Sequence, residues 1–111
     1  MKLQPSPFEK IKAGQKTIEI RLNDEKRQQV KIGDEIIFTL LTDTKAKIKV
    51  EVVELSVFPS FEVLFFTFPP QEYGSTSKGE FGEMYKYYSK EDEDKYGVLG
   101  IRIKYLGDVT V

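Results

Sequence analysis

Gly14-Gln15-Lys16-Thr17-Ile18-Glu19-Ile20-Arg21-Leu22 decides how this chain folds, because a short helix stops here and passes a row of charged side chains to a strand. Gly14 supplies the left-handed conformation that ends a helix. From Thr17 to Leu22 apolar and polar residues alternate, the period of a half-buried strand. Ile18, Ile20 and Leu22 share one face and Thr17, Glu19 and Arg21 the other. Lys16 precedes the regular strand, so its ammonium is free to curl around the strand mouth toward Glu19. A cluster of Lys16, Glu19 and Arg21 is the outcome.

Upstream, Ser6-Pro7-Phe8-Glu9 fits a capping box, with Ser6 as cap and Pro7 at the first helical position, and predicts a helix over 7–13 that buries Phe8 and Ile11. Downstream, residues 23–29 form a charged loop. Its Lys26 and Arg27, with Lys31, form a candidate basic lip for a phosphate backbone. Ile32-Gly33-Asp34 marks a turn before a strand over 35–41, apolar on both faces and therefore expected at the centre of a sheet. From Ala46 the apolar parity runs through Ile48, Val50 and Val52, then passes to Val53, Leu55 and Val57. That change of phase predicts a β-bulge near Val52 and Val53, as small barrels use to turn a corner.

Ser60 caps a short helix through Phe61, Leu64 and Phe65, and the phenylalanines from Phe58 to Phe68 read as core rather than as a stacking platform. Pro69-Pro70 ends that helix, and residues 71–79 make a polar loop that begins with Glu72 and Tyr73. A helix is expected over 80–89, with Phe81, Met84, Tyr85 and Tyr88 inward. Ser89 caps a further turn whose acids sit where the helix dipole favours them, which accounts for that acidic run without a metal. Leu99, Ile101, Ile103 and Tyr105 alternate in a last strand. The sum is an α+β fold: a small mixed β-barrel with about three short flanking helices, in a single domain over 1–111.

Composition narrows the chemistry. The 17 Lys and Arg against 18 Asp and Glu leave a formal net charge of -1, unlike a protein that coats nucleic acid nonspecifically. With no Cys and no His, thiol nucleophiles, imidazole bases, disulfides and nearly all zinc, copper or haem sites are excluded, and neither metal nor cofactor is expected. No stretch approaches the roughly 18 apolar residues of a membrane span. The N-terminal residues carry Pro and Glu in place of an apolar run, so a cytoplasmic location is expected.

The helix that ends in Ala13-Gly14, followed by Lys16, Glu19 and Arg21 and later by Lys31-Ile32-Gly33-Asp34, resembles the ASCH family of the PUA-like superfamily, whose signature is Gly-x-Lys-x-x-Glu-x-Arg. The resemblance extends to Phe58-Pro59-Ser60-Phe61, Tyr87-Tyr88-Ser89-Lys90-Glu91 and Tyr96-Gly97-Val98-Leu99-Gly100-Ile101, most of the chain. It implies a PUA-like barrel, a cleft beside the first strand holding Lys16, Glu19 and Arg21, and an RNA or nucleoside ligand. One branch resembles small amidohydrolases that deacylate acetylcytidine through the motif lysine, a threonine three residues on and a distant glutamate. In this sequence those positions hold Lys16, Glu19 in place of the threonine, and Glu72.

Three functions are therefore open. In an RNA- or nucleotide-binding module, Lys16 and Arg21 meet phosphate or carboxylate, Glu19 accepts from a base amine, and Tyr73 or Tyr88 stacks on the base. In a small amidohydrolase on an acylated nucleoside, Lys16 serves as base or Glu19 or Glu72 activates water. The third possibility is an exposed charge ladder with no ligand, worth under about 1 kcal/mol per pair.

Overall fold

The strands of the computed structural model, which describes residues 1–109, are β1 (Lys2–Leu3), β2 (Ile18–Leu22), β3 (Glu35–Leu40), β4 (Asp43–Phe58) and β5 (Val98–Asp108). They form one sheet in the order β1-β3-β4-β5-β2, parallel only between β1 and β3. The 16-residue β4 is its spine. Its register against β5 shifts between Lys49 and Val50 and again between Val52 and Glu54, the second shift falling where the sequence changes phase. Each extra residue bends and twists the strand, and the sheet curls into a half-barrel. The two edges then approach, and the Arg21 guanidinium of β2 donates across the seam to the Lys2 carbonyl of β1 at 3.1 Å.

Two cores result from this curl. Phe8 and Ile11 of α1 (Pro5–Lys12) plug the barrel against Phe38, Ile48, Val50, Val52, Leu99, Ile101 and Ile103. On the other face of β2 and β5, Ile18, Ile20, Leu22 and Val98 pack under α2 (Phe61–Thr67), whose Phe61, Leu64 and Phe65 are buried. Gly100 leaves room for that helix, since a methyl group there would lie 3.3 Å from Leu64 Cδ1. Helix α3 (Lys90–Tyr96) completes the layer. Ser60 and Ser89 cap α2 and α3 by accepting from the amides of Val63 and Asp92, as the sequence predicts.

Three expectations are corrected. Helix α1 begins at Pro5 with Gln4 as its cap, so Ser6 lies inside the first turn and makes no side-chain cap; Pro5, without an N–H and with φ preset, starts the helix two residues early. The strand over 35–40 is not central: β4 flanks it on one side and only the two-residue β1 on the other. A two-residue strand is too short to have a period, which is why it escapes a periodicity argument. The helix expected over 80–89 is a 3₁₀ segment, Lys78–Lys86, capped by Ser77. Gly79 and Gly82 weaken α-helix there, and the three-residue turn still packs Phe81, Met84, Tyr85 and Tyr88 against the second core. No helix among the described residues is long and apolar enough to cross a membrane.

Candidate functional site

The seam between β1 and β2 is where the charged residues gather. On β2, Glu19 pairs with Ile101 and Arg21 with Leu99, so the polar parity of the strand looks toward the barrel core rather than toward bulk water. The turn after α1 brings Lys16 to the same place: the amides of Gln15 and Lys16 both donate to the Lys10 carbonyl, and Gly14 takes φ 74°. The Lys16 ammonium then lies 2.8 Å from Glu19 Oε1, while Arg21 Nη2 and Nε lie 2.8 and 3.0 Å from Glu19 Oε2. Glu19 is only 4% exposed and Lys16 9%.

A carboxylate so deeply set is costly unless it is paired. Burial pushes the Glu19 carboxyl up, but the Lys16 and Arg21 charges and their hydrogen bonds outweigh it and hold the group below its ordinary value. The trio therefore carries one net positive charge. Donor capacity remains: Lys16 uses one N–H on Glu19, and Arg21 Nη1 makes no hydrogen bond among the described residues. Glu19 Oε1, with a single partner, retains acceptor capacity.

Above the trio opens a cleft of about 500 Å³. Lys2 and Pro7 line one side, and Tyr73, Met84, Tyr87 and Tyr88 the other. The aromatic wall is held from behind. The Tyr73 hydroxyl donates to the Phe65 carbonyl at 2.8 Å, and its ring lies 4.4 Å from that of Phe65. Tyr88 stacks on Phe61 at 5.4 Å with 27° between the planes. Burial raises the Tyr73 and Tyr88 phenols above their ordinary values, so both are neutral surfaces near pH 7. Tyr87, 71% exposed, stands at the rim.

Of the residues singled out from sequence, Lys16, Glu19, Arg21, Tyr73 and Tyr88 converge on this cleft. Glu72 does not join them. Its carboxylate turns to Arg102 at 3.2 Å while its carbonyl accepts from the Thr17 amide, so the three groups of the amidohydrolase pattern are not assembled. Lys26 and Arg27 lie outside the cleft lining. Arg27 is tied to Asp24 by its amide and by Nη1 at 3.3 Å, and Lys26 is exposed. Sequence reasoning missed Lys2 and Pro7, which become neighbours of the cluster only when the barrel curls. It also missed Tyr87 and the cleft role of Met84. The three-residue spacing of Phe81, Met84 and Tyr87 is the signal that points to them. No group of three or more carboxylates converges on a metal position among the described residues.

No curated protein matches the chain. Among solved structures it is similar to hypothetical protein PH0355, at 37% identity over 96% of each chain with a TM-score of 0.82. It is also similar to protein PF0455 from Pyrococcus furiosus, at 35% identity over 96% of this chain and 94% of that one, with a TM-score of 0.68. A mutant of ZmASCH from Zymomonas mobilis shares the fold at 11% identity, covering 99% of this chain and 71% of that one with a TM-score of 0.71. The family model described as ASCH domain matches residues 1–106. Match and fold agree, and this chain, a PUA-like α+β half-barrel, belongs to the ASCH domain family.

Proposed function

We propose that this domain binds RNA by taking one unpaired nucleotide base into the seam cleft. The observation that carries this is the buried Lys16–Glu19–Arg21 trio at the floor of a cavity of about 500 Å³ with tyrosines on one wall. A desolvated, perturbed carboxylate paired with two cations in a cleft marks a candidate functional site. The floor offers donors from Lys16 and Arg21 beside an acceptor on Glu19, which matches the mixed donor and acceptor edge of a base. The tyrosine faces supply stacking. Because Glu19 already neutralises one cation, the floor suits a neutral base edge better than a phosphate.

Hydrolysis of an acylated nucleoside is the other use of the same cleft. Against it stands the lysine, which donates into a carboxylate and so offers N–H groups rather than a lone pair, together with the removal of Glu72 to Arg102. Calorimetric titration with single-stranded RNA and with the free nucleosides tests the proposal. Wild type binds both, and Lys16→Met, folded by circular dichroism, loses at least tenfold in affinity. A folded Lys16→Met protein that binds like wild type refutes it. Release of acetate from acetylcytidine by the wild type, but not by Lys16→Met, makes the cleft an amidohydrolase site instead.

A further inference from the structure

A second hollow adjoins the cleft. It holds about 390 Å³ and is lined by Lys10, Gln15, Gln71, Gly74 and Ser75, with Ser75 common to both cavities. Gly74, at φ 85°, is the saddle between them: a Cβ there would lie 3.2 Å from Lys16 Cδ and 3.7 Å from Lys10 Cδ. The absent side chain keeps that passage low. On one side of the saddle Lys16 turns into the cleft toward Glu19. On the other, Lys10 Nζ donates to the Gly74 carbonyl at 2.8 Å and retains two further N–H groups.

The two cavities differ in chemistry. The cleft has aromatic walls; the hollow has an ammonium, two amides and a hydroxyl, and no aromatic ring to stack on. Resting on the cleft's role as a base pocket, we infer that the hollow takes the ribose-phosphate that continues from the bound base, so that the domain recognises a nucleoside with its adjoining phosphodiester within single-stranded RNA. Lys10 meets the phosphate as a point charge, and Gln15, Gln71 and Ser75 offer hydrogen bonds to phosphate and ribose oxygens. Glu80, the nearby acid, is occupied by the Thr76 hydroxyl and amide and makes no ion pair with Lys10 among the described residues. A single ammonium in the hollow suits it to one singly charged phosphodiester rather than to a polyphosphate.

The test compares free nucleosides with dinucleoside monophosphates of the same bases, titrated against wild type, Lys10→Met and Lys10→Arg. The phosphodiester is expected to raise wild-type affinity about tenfold. Lys10→Met loses that gain but binds nucleosides as wild type does, and Lys10→Arg retains most of it. Added salt weakens wild-type binding of the dinucleotide more than that of the nucleoside, by screening the one ammonium–phosphate contact, and Lys10→Met removes that difference. Nucleoside binding with no gain from the phosphodiester overturns the inference and leaves the base pocket standing. A parallel fall for nucleoside and dinucleotide in Lys10→Met also overturns it, since Lys10 then acts only by holding Gly74. If neither ligand binds wild type, the base pocket fails as well.

Discussion

Replacing Glu19 by glutamine keeps the shape of the side chain and strips the buried trio of its anion. Lys16 and Arg21 are left facing each other at the floor, with side-chain exposures of 9% and 15%. Removing one partner of a buried ion pair costs about 3–5 kcal/mol. Arg21 keeps its bond to the Lys2 carbonyl, so the lower end, about 3 kcal/mol, is expected. A 111-residue domain unfolds with an entropy of about 0.23 kcal/mol/K, which turns that loss into a fall of about 13 °C in Tm. Acid supplies a second, independent check. The folded-state pKa of Glu19 is depressed from 4.5, so between the two values the unfolded chain binds more protons and stability falls as pH falls. The contribution is complete above about pH 4.5 and is lost as pH drops through the folded value. Glutamine has no proton to gain. The difference in unfolding free energy between wild type and Glu19→Gln, measured by urea denaturation, is therefore about 3 kcal/mol at pH 7 and is smaller at pH 3, where the unfolded carboxyl is protonated. A difference below about 1 kcal/mol at pH 7, or one that is the same at both pH values, would refute the account and reduce the trio to an ordinary surface ladder.

Tyr88→Leu removes a stacking face while its neighbour Phe61 stays buried; nucleoside affinity falls about tenfold by calorimetry, and unchanged affinity takes Tyr88 out of the base contact. Glu93, buried in α3 at the start of α2, accepts from the Phe61 amide at 2.7 Å and from the Tyr85 hydroxyl at 2.9 Å. Glu93→Ala costs about 2–3 kcal/mol of stability with nucleoside affinity intact, and a loss of binding at full stability counts against its being structural. Burial, then the Glu93 hydrogen bond and charge, push the Tyr85 phenol up to about 12. Spectrophotometric titration shows a late-ionising tyrosine that Tyr85→Phe removes. Ser60→Ala loses the side-chain acceptor for the Val63 amide and costs about 1 kcal/mol in urea denaturation.

Local signals in this chain are legible where one short stretch settles the outcome. The alternation from Ile18 to Leu22, the change of parity near Val53 and the serine caps at Ser60 and Ser89 each appear in the structure at the expected place. So does the ion pair of Lys16 with Glu19, because the turn after Gly14 sets both residues within one strand end. Other positions turn on partners that strand periodicity does not reveal. Glu72 sits beside Tyr73 in the chain, yet successive residues diverge, and Arg102, 30 residues on, claims its carboxylate. Lys26 and Arg27 adjoin β2 in sequence, but Asp24 holds the arginine in its own loop.

By itself the sequence determined the strand, the trio it carries and the family signature, because strand parity and helix termination depend on side chains a few residues apart. It also excluded thiol and imidazole chemistry by composition. What the polar face of β2 looks at was decided only in three dimensions. Alternation tells which residues share a face, not whether that face meets water or a core. Here the sheet curls until β1 and β2 meet at Arg21 and Lys2, and the face that would be solvated on a flat sheet becomes the floor of a cleft. The curl itself is a sum over β4 register shifts, a plug helix and a two-residue strand, contacts so separated along the chain that no local pattern records them.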